Sequence, residues 1–182
     1  FPGNTFEGNT FIPVILALKK KHRIDTLTVV ADAAMISQHN IAELTQNGLR
    51  YIVGARMGNL PSLTIASVSK TLNGVDGATT RLATTHGDLI CGFSLVRFRK
   101  DKREMEKQIQ KAEHLLKMPG LVKRTKFLKS AGMAAYELNH DLMKKTESLL
   151  GIKGYYTNLD KDIAHDIIIR QYRNLWHVEQ AF

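Results

Sequence analysis

Two short runs of β-branched and apolar residues, TLTVVA (Thr26 to Ala31) and YIVGA (Tyr51 to Ala55), constrain this chain more than any other feature. Neither alternates polar with apolar, so each has two faces to bury, as a strand does inside a sheet covered on both sides. A helical pattern precedes each run. Thr10 reads as the N-cap of a helix to about His22, with Pro13 in its first turn and Phe11, Val14, Ile15 and Leu18 on one stripe. Lys19, Lys20, Lys21 and Arg23 load the end of that helix, where the dipole favours cations. Ser37 is placed to cap a second helix to about Asn47, with Gly48 as its stop. Helix, strand, helix, strand with short links predicts an α/β fold built on a parallel sheet.

After Arg56 the texture changes. LTIASV, TTRLATT and GDLICGFSLVRFR, punctuated by Asn73-Gly74 and Asp76-Gly77, predict antiparallel strands between about Pro61 and Arg99. A helix from about Lys102 to Lys117 follows, then a short one from about Asn139 to Leu150, a strand KGYYTNL (Lys153 to Leu159), and a helix from about Asp160. The predicted organisation is a core part over 1–55, a β-rich insertion with basic helices over 56–150, and a second core part over 151–182.

The chain of 182 residues carries a net charge of +9, and the segment Arg97 to Lys129 alone holds twelve Lys/Arg against four Asp/Glu. Charge concentrated in this way points to a polyanionic partner, nucleic acid first, because attraction to phosphates follows local charge density. The alternative is a solvated helix with charges paired at i,i+4. A single cysteine, Cys91, excludes an internal disulfide framework. The longest strongly apolar run, Phe11 to Leu18, falls far short of the ~20 residues needed to span a bilayer.

Two carboxylates stand out by position. Asp32 directly follows TLTVVA, and the carboxyl ends of strands in open α/β sheets are where ligands and metals collect. It can equally be a loop aspartate that satisfies backbone N–H groups in a turn. Glu179 falls on the stripe of the last helix formed by Ile168, Tyr172, Leu175 and Phe182, where a carboxylate needs a cation or donors. A structural Arg could meet that need as well. Oxygen ligands of this kind suit Mg²⁺, although two acids do not complete a site. Asp76 and Asp88 fall in turn-like segments, and Asp160, Asp162 and Asp166 read as helix-start acids. No phosphate loop and no zinc spacing is present, and Cys91 reads as a core residue.

FPGNTFEGNT-FIPVI, VVADAAMIS with NIAELTQNGLRYIVGAR, KGYYTNL and IIIRQYRNLWHVEQAF, taken in that order, resemble the DDE transposases of bacterial insertion sequences. The likeness covers nearly the whole chain and is closest to the class with a Tyr-x-x-Arg-x-x-x-Glu-x-x-x-x-x-x-Lys signature. The resemblance implies a ribonuclease H-like core with a mostly β insertion ahead of the helix bearing the last acid. Asp32 matches the second acid, Glu179 the third and Tyr172 the signature tyrosine. Leu175 stands where the signature has Arg, Arg173 is nearby, the Lys would fall beyond Phe182, and the first acid and its strand would precede Phe1.

What the resemblance implies is DNA cleavage and strand transfer in transposition, with two Mg²⁺ (or Mn²⁺) ions, Asp32 bridging them and Glu179 completing one shell. DNA of the element ends and target would be the partner, held by a homodimer of the complete protein at the bacterial nucleoid, in the cytoplasm and away from membranes. Lys100, Lys102, Arg103, Lys123, Arg124, Lys126, Tyr172 and Arg173 are the expected DNA contacts. With two of three acids, the chain alone is expected to be inactive. The competing readings are a non-catalytic nucleic-acid-binding remnant and another ribonuclease H-like nuclease.

Overall fold

In the computed structural model, which describes residues 7–34, 37–118, 125–132 and 135–179, helices and strands alternate from the start. The first stretch gives α1 (Glu7–His22), β1 (Thr28–Ala31), α2 (Gln38–Gln46), β2 (Arg50–Gly54) and a 3-10 turn (Met57–Asn59). Next come α3 (Ser62–Leu72), β3 (Thr79–Thr84), β4 (Gly87–Phe93) and α4 (Leu95–Leu116). The last stretch gives β5 (Leu128–Ser130), β6 (Tyr136–Leu138), α5 (His140–Glu147), β7 (Ile152–Thr157) and α6 (His165–Glu179). The fold is mixed α/β. No helix among the described residues is long and apolar enough to cross a membrane.

The chain divides into two compact units. The first comprises Phe1–Arg56, Thr79–Cys91 and Gly154–Phe182; the second comprises Met57–Ala78 and Gly92–Lys153. In the first, the strands run in the order β1-β2-β7-β4-β3. β1 and β2 are parallel, with Val29 opposite Tyr51 and Ala31 opposite Val53, whereas β7 runs antiparallel to β2, with Thr157 opposite Ile52. The sheet is therefore mixed. The expectation of a parallel sheet holds for the β1–β2 pair and not for β2–β7.

The two faces of that pair are buried as their composition requires. Val29, Ala31, Tyr51 and Val53 point to one side and meet Ile12 and Ile15 of α1 and Ile41 and Leu44 of α2. Val30 and Ile52 point to the other side, where Ile168, Ile169 and Tyr172 of α6 pack with Ile90 and Tyr155. Ser37 caps α2 as read, its Oγ accepting from Asn40 N–H at 3.2 Å, and Gly48 follows with φ +63°. The middle of the sheet is knitted by polar groups around Tyr51. Its C=O accepts from the buried Thr157 hydroxyl at 2.7 Å, and its own hydroxyl donates to His86 C=O at 2.8 Å.

The second unit holds α3, α4, α5 and the antiparallel pair β5–β6, with Leu128 opposite Leu138. Here the sequence reading needs correction. LTIASV is helical, not a strand: Ile65, Val68 and Leu72 follow a helical period and are almost wholly buried, and Asn73 closes α3 in the left-handed region. β-Branched residues follow tertiary burial when it conflicts with strand preference. LVRFR is likewise helical. Ser94 Oγ accepts from Arg97 N–H at 3.5 Å, so α4 starts at Leu95 instead of near Lys102. TTRLAT and GDLICGF do form strands, but they join the first unit's sheet as β3 and β4.

Both outer helices also differ from the reading. α1 begins before Thr10, and Val14 and Leu18 stay about half exposed while Ile12 turns inward. Apolar residues occupy more than one side of this helix, and a cap worth about 1 kcal/mol does not fix its start. α6 begins at His165; Asp160 lies ahead of it and pairs with Arg50 at 3.2 Å.

Gly87 opens β4 with φ +85°, and a Cβ there would lie 2.5 Å from Thr157 O and 2.6 Å from the Tyr51 hydroxyl. The backbone oxygen cannot swing aside. Gly87→Ala is expected to lower unfolding stability by about 2–4 kcal/mol, read as a reduced denaturant midpoint at unchanged m-value.

Candidate functional site

The parallel pair β1–β2 ends in two adjacent loops, and the sequence-derived acid sits on the first of them. Asp32 follows the last residue of β1, is solvent-exposed, and accepts a long 3.4 Å hydrogen bond from Ala34 N–H. Ala33 C=O accepts from Arg56 Nε at 3.1 Å, so the residue closing the second loop ties down the first. Arg56 is absent from the sequence-based site, although its place just after YIVGA was a usable signal. It holds the backbone on which Asp32 stands.

α6 approaches the same loops from the sheet face. It packs on both β1 and β2. Gly54, the last residue of β2, leaves the space: a Cβ there would lie 2.6 Å from the Tyr172 hydroxyl and 3.1 Å from Ala33 N. Tyr172 is therefore within reach of the Asp32 loop. Its side chain is 7% exposed and its ring lies tilted at 4.7 Å from that of Tyr155, so most of this side chain belongs to the core. Arg173 is exposed, as a contact residue has to be.

Glu179 ends α6 as described, and its side chain lies outside the described residues. At 1.5 Å per residue its Cα is about 10 Å further along the axis than that of Tyr172. Among the described residues no group of three or more His, Cys, Asp or Glu side chains is placed to hold a metal ion.

Several of the remaining acids and nucleophiles are engaged within the fold or buried. Asp76 accepts from Leu95 N–H at 2.7 Å, at the start of α4. Asp88 faces Arg81 at 3.5 Å in a largely buried pair. His165 Nδ1 is 2.9 Å from the Thr79 hydroxyl. Cys91 is fully buried, and burial pushes its thiol up to about 12, so it stays protonated at neutral pH.

The second unit carries the basic segment, and α4 organises much of it. Phe98, Met105, Ala112 and Leu116 lie on its inner side. At ~100° per residue, Arg97, Lys100, Arg103, Lys107 and Lys111 fall within an arc of about 120° on the opposite side, with the exposed Glu104 at the margin of that arc nearest the cavity-lining residues. All five are exposed, and among the described residues none forms an ion pair. They extend over about 21 Å of helix. Lys100 and Arg103 of the sequence-based set belong to this stripe; Lys102 falls outside it, on the side of Glu106. Arg97 was missed because it joins the stripe only once the helix starts at Leu95; Lys107 and Lys111 lay within the predicted helix and were legible at helical spacing. Lys126 is exposed with its ammonium 5.2 Å from the Phe127 ring centre, and Lys123 and Arg124 lie outside the described residues.

Comparison with family models, with curated protein sequences and with solved structures returns no match.

The Gly54–Tyr172 approach makes a direct check on the crest. Gly54→Ala is expected to destabilise the chain by about 1–3 kcal/mol, as overpacking does. Adding Tyr172→Phe removes the closest atom, so the double variant should recover part of that stability in a double-mutant cycle.

Proposed function

We propose that this chain is part of the catalytic region of a DNA transposase of the insertion-sequence type, binding divalent metal at Asp32 and Glu179 and DNA through its basic helix. The observation that carries the reading is the crest. An exposed carboxylate stands at the carboxyl end of a parallel strand pair, and the helix bearing the second acid packs across both strands. Among the described residues β1 is an edge strand, which leaves room for a further strand beside the one that leads to Asp32.

Asp32 suits a hard cation. Its carboxylate is exposed, carries only one long internal hydrogen bond among the described residues, and offers oxygen donors of the kind Mg²⁺ and Mn²⁺ prefer. When bound, a pair of such ions supplies activation of water or a 3′-hydroxyl and neutralises charge on the leaving oxygen. The protein's own part is positional. Arg56 fixes the loop under Asp32, Tyr172 sets α6 against the same loop, and α4 offers a row of cations to phosphates. Two acids make an incomplete ligand set, and the 182-residue chain by itself is expected to bind metal without cutting DNA.

Calorimetric titration with Mn²⁺ tests the metal site. Binding should be seen with the parent chain and lost in both Asp32→Asn and Glu179→Gln; equal binding by all three would remove the two-acid site.

A second reading, a nucleic-acid-binding domain without chemistry, is favoured by the unpaired stripe on α4. DNA affinity separates the contributions. Changing Arg97, Lys100, Arg103, Lys107 and Lys111 to Gln should weaken duplex binding and make the slope of log K against log salt shallower by about 0.9 for each phosphate no longer neutralised. Lys102→Gln alone should move it little. Salt-sensitive DNA binding with no metal binding would leave the second reading standing.

A further inference from the structure

The inner side of α4 lines a cavity of about 330 Å³ that lies wholly within the second unit. This is at the low end of the range for small-molecule sites, roughly 300–1,000 Å³. Its acceptors come from α4: Asp101, Glu104 and Gln108. Its cations come from elsewhere, Lys145 from α5 and Lys126 from the segment before β5. Met105, Leu142, Leu149 and Leu150 supply an apolar lining.

Two features mark this half-open cavity. Four charged side chains line it, two of each sign, yet no pair of them comes within ion-pair distance. Lys145 donates to Leu60 C=O at 3.1 Å and Asp101 accepts from Gly151 N–H at 3.2 Å, so both are held in place by backbone. The second feature is Gln108. Its Nε2 donates to Glu104 Oε1 at 3.1 Å, which fixes the amide orientation and leaves Oε1 buried without a donor among the described residues. Gln108 thus positions the Glu104 carboxylate as an acceptor, and the lysines offer donors from other elements.

We propose that this cavity binds a free α-amino acid with an apolar side chain. The ammonium would donate to the Glu104 carboxylate, which Gln108 Nε2 holds in place, and the carboxylate would accept from Lys145 and Lys126. The aliphatic side chain would lie on Met105 and the leucines. The lining sums to zero charge, which disfavours a phosphate or a simple cation and matches a molecule carrying both signs. This proposal is independent of the metal crest and of the α4 stripe.

Calorimetry or saturation-transfer NMR with L-leucine on the 182-residue chain tests it. L-Leucine should bind saturably, while leucinamide, which lacks the carboxylate, and 4-methylpentanoate, which lacks the ammonium, should each bind about tenfold more weakly or worse. Gln108→Leu and Lys145→Met should weaken L-leucine binding to a similar degree, and Lys126→Gln, at an exposed position, provides a variant whose folding is not at issue. Absence of saturable binding by L-leucine, L-methionine and L-phenylalanine at tens of millimolar would overturn the proposal. So would equal affinity for the two analogues and L-leucine, or unchanged affinity in all three variants.

Discussion

Burial of one parallel strand pair on both faces is the constraint from which the first unit follows. TVVA and RYIVG expose apolar side chains above and below, so helices must cover both sides before either strand is stable. α1 and α2 take one face and α6 the other. Because the pair is parallel, both carboxyl ends open at the same edge, and the loops carrying Asp32 and Arg56 become neighbours without any local sequence motif. The absence of a side chain at Gly54 then allows α6 to bring Tyr172 down to that edge. Candidate chemistry collects there because of how the sheet is covered.

Much of this was legible in the sequence, and the reasons for the remainder are physical. The two buried strands, the Ser37 cap and the Asp32 position are local signals: β-branched runs, a capping residue, and the residue after a strand. The Ile168–Tyr172–Leu175 stripe was legible because a long helix repeats its period several times. LTIASV misled because Thr, Ile and Val favour strands while the spacing of Ile65, Val68 and Leu72 fits a helix, and the spacing decided. The start of α4 was hidden by Ser94, which reads as a strand residue until its capping role is seen. The place of β3 and β4 in the central sheet depends on pairing between distant segments, which no local pattern encodes. The mixed α/β class was legible from the alternation of buried strands and helical stripes.

α4 shows how one helix can present two chemistries. Its outward arc carries cations in register along the axis, a geometry suited to a long polyanion whose charges repeat. Its inward side mixes acceptors with apolar contacts and meets lysines from other elements, a geometry suited to something small and of both signs. A sequence count sees only that the segment is basic. The division between faces appears once the segment is read at helical spacing, and Ser94 extends that spacing back to Arg97.

Cys91 turns the central sheet into its own reporter. It is the chain's single cysteine, it lies in β4 with no exposed surface, and burial holds its thiol protonated. A thiol reagent can reach it only when the packing over β4 opens, so in native conditions the labelling rate follows opening of that packed layer. A cysteine placed at any exposed position would react alone and long before it. The chain thus permits single-site attachment of a probe to the folded state without removing a native cysteine.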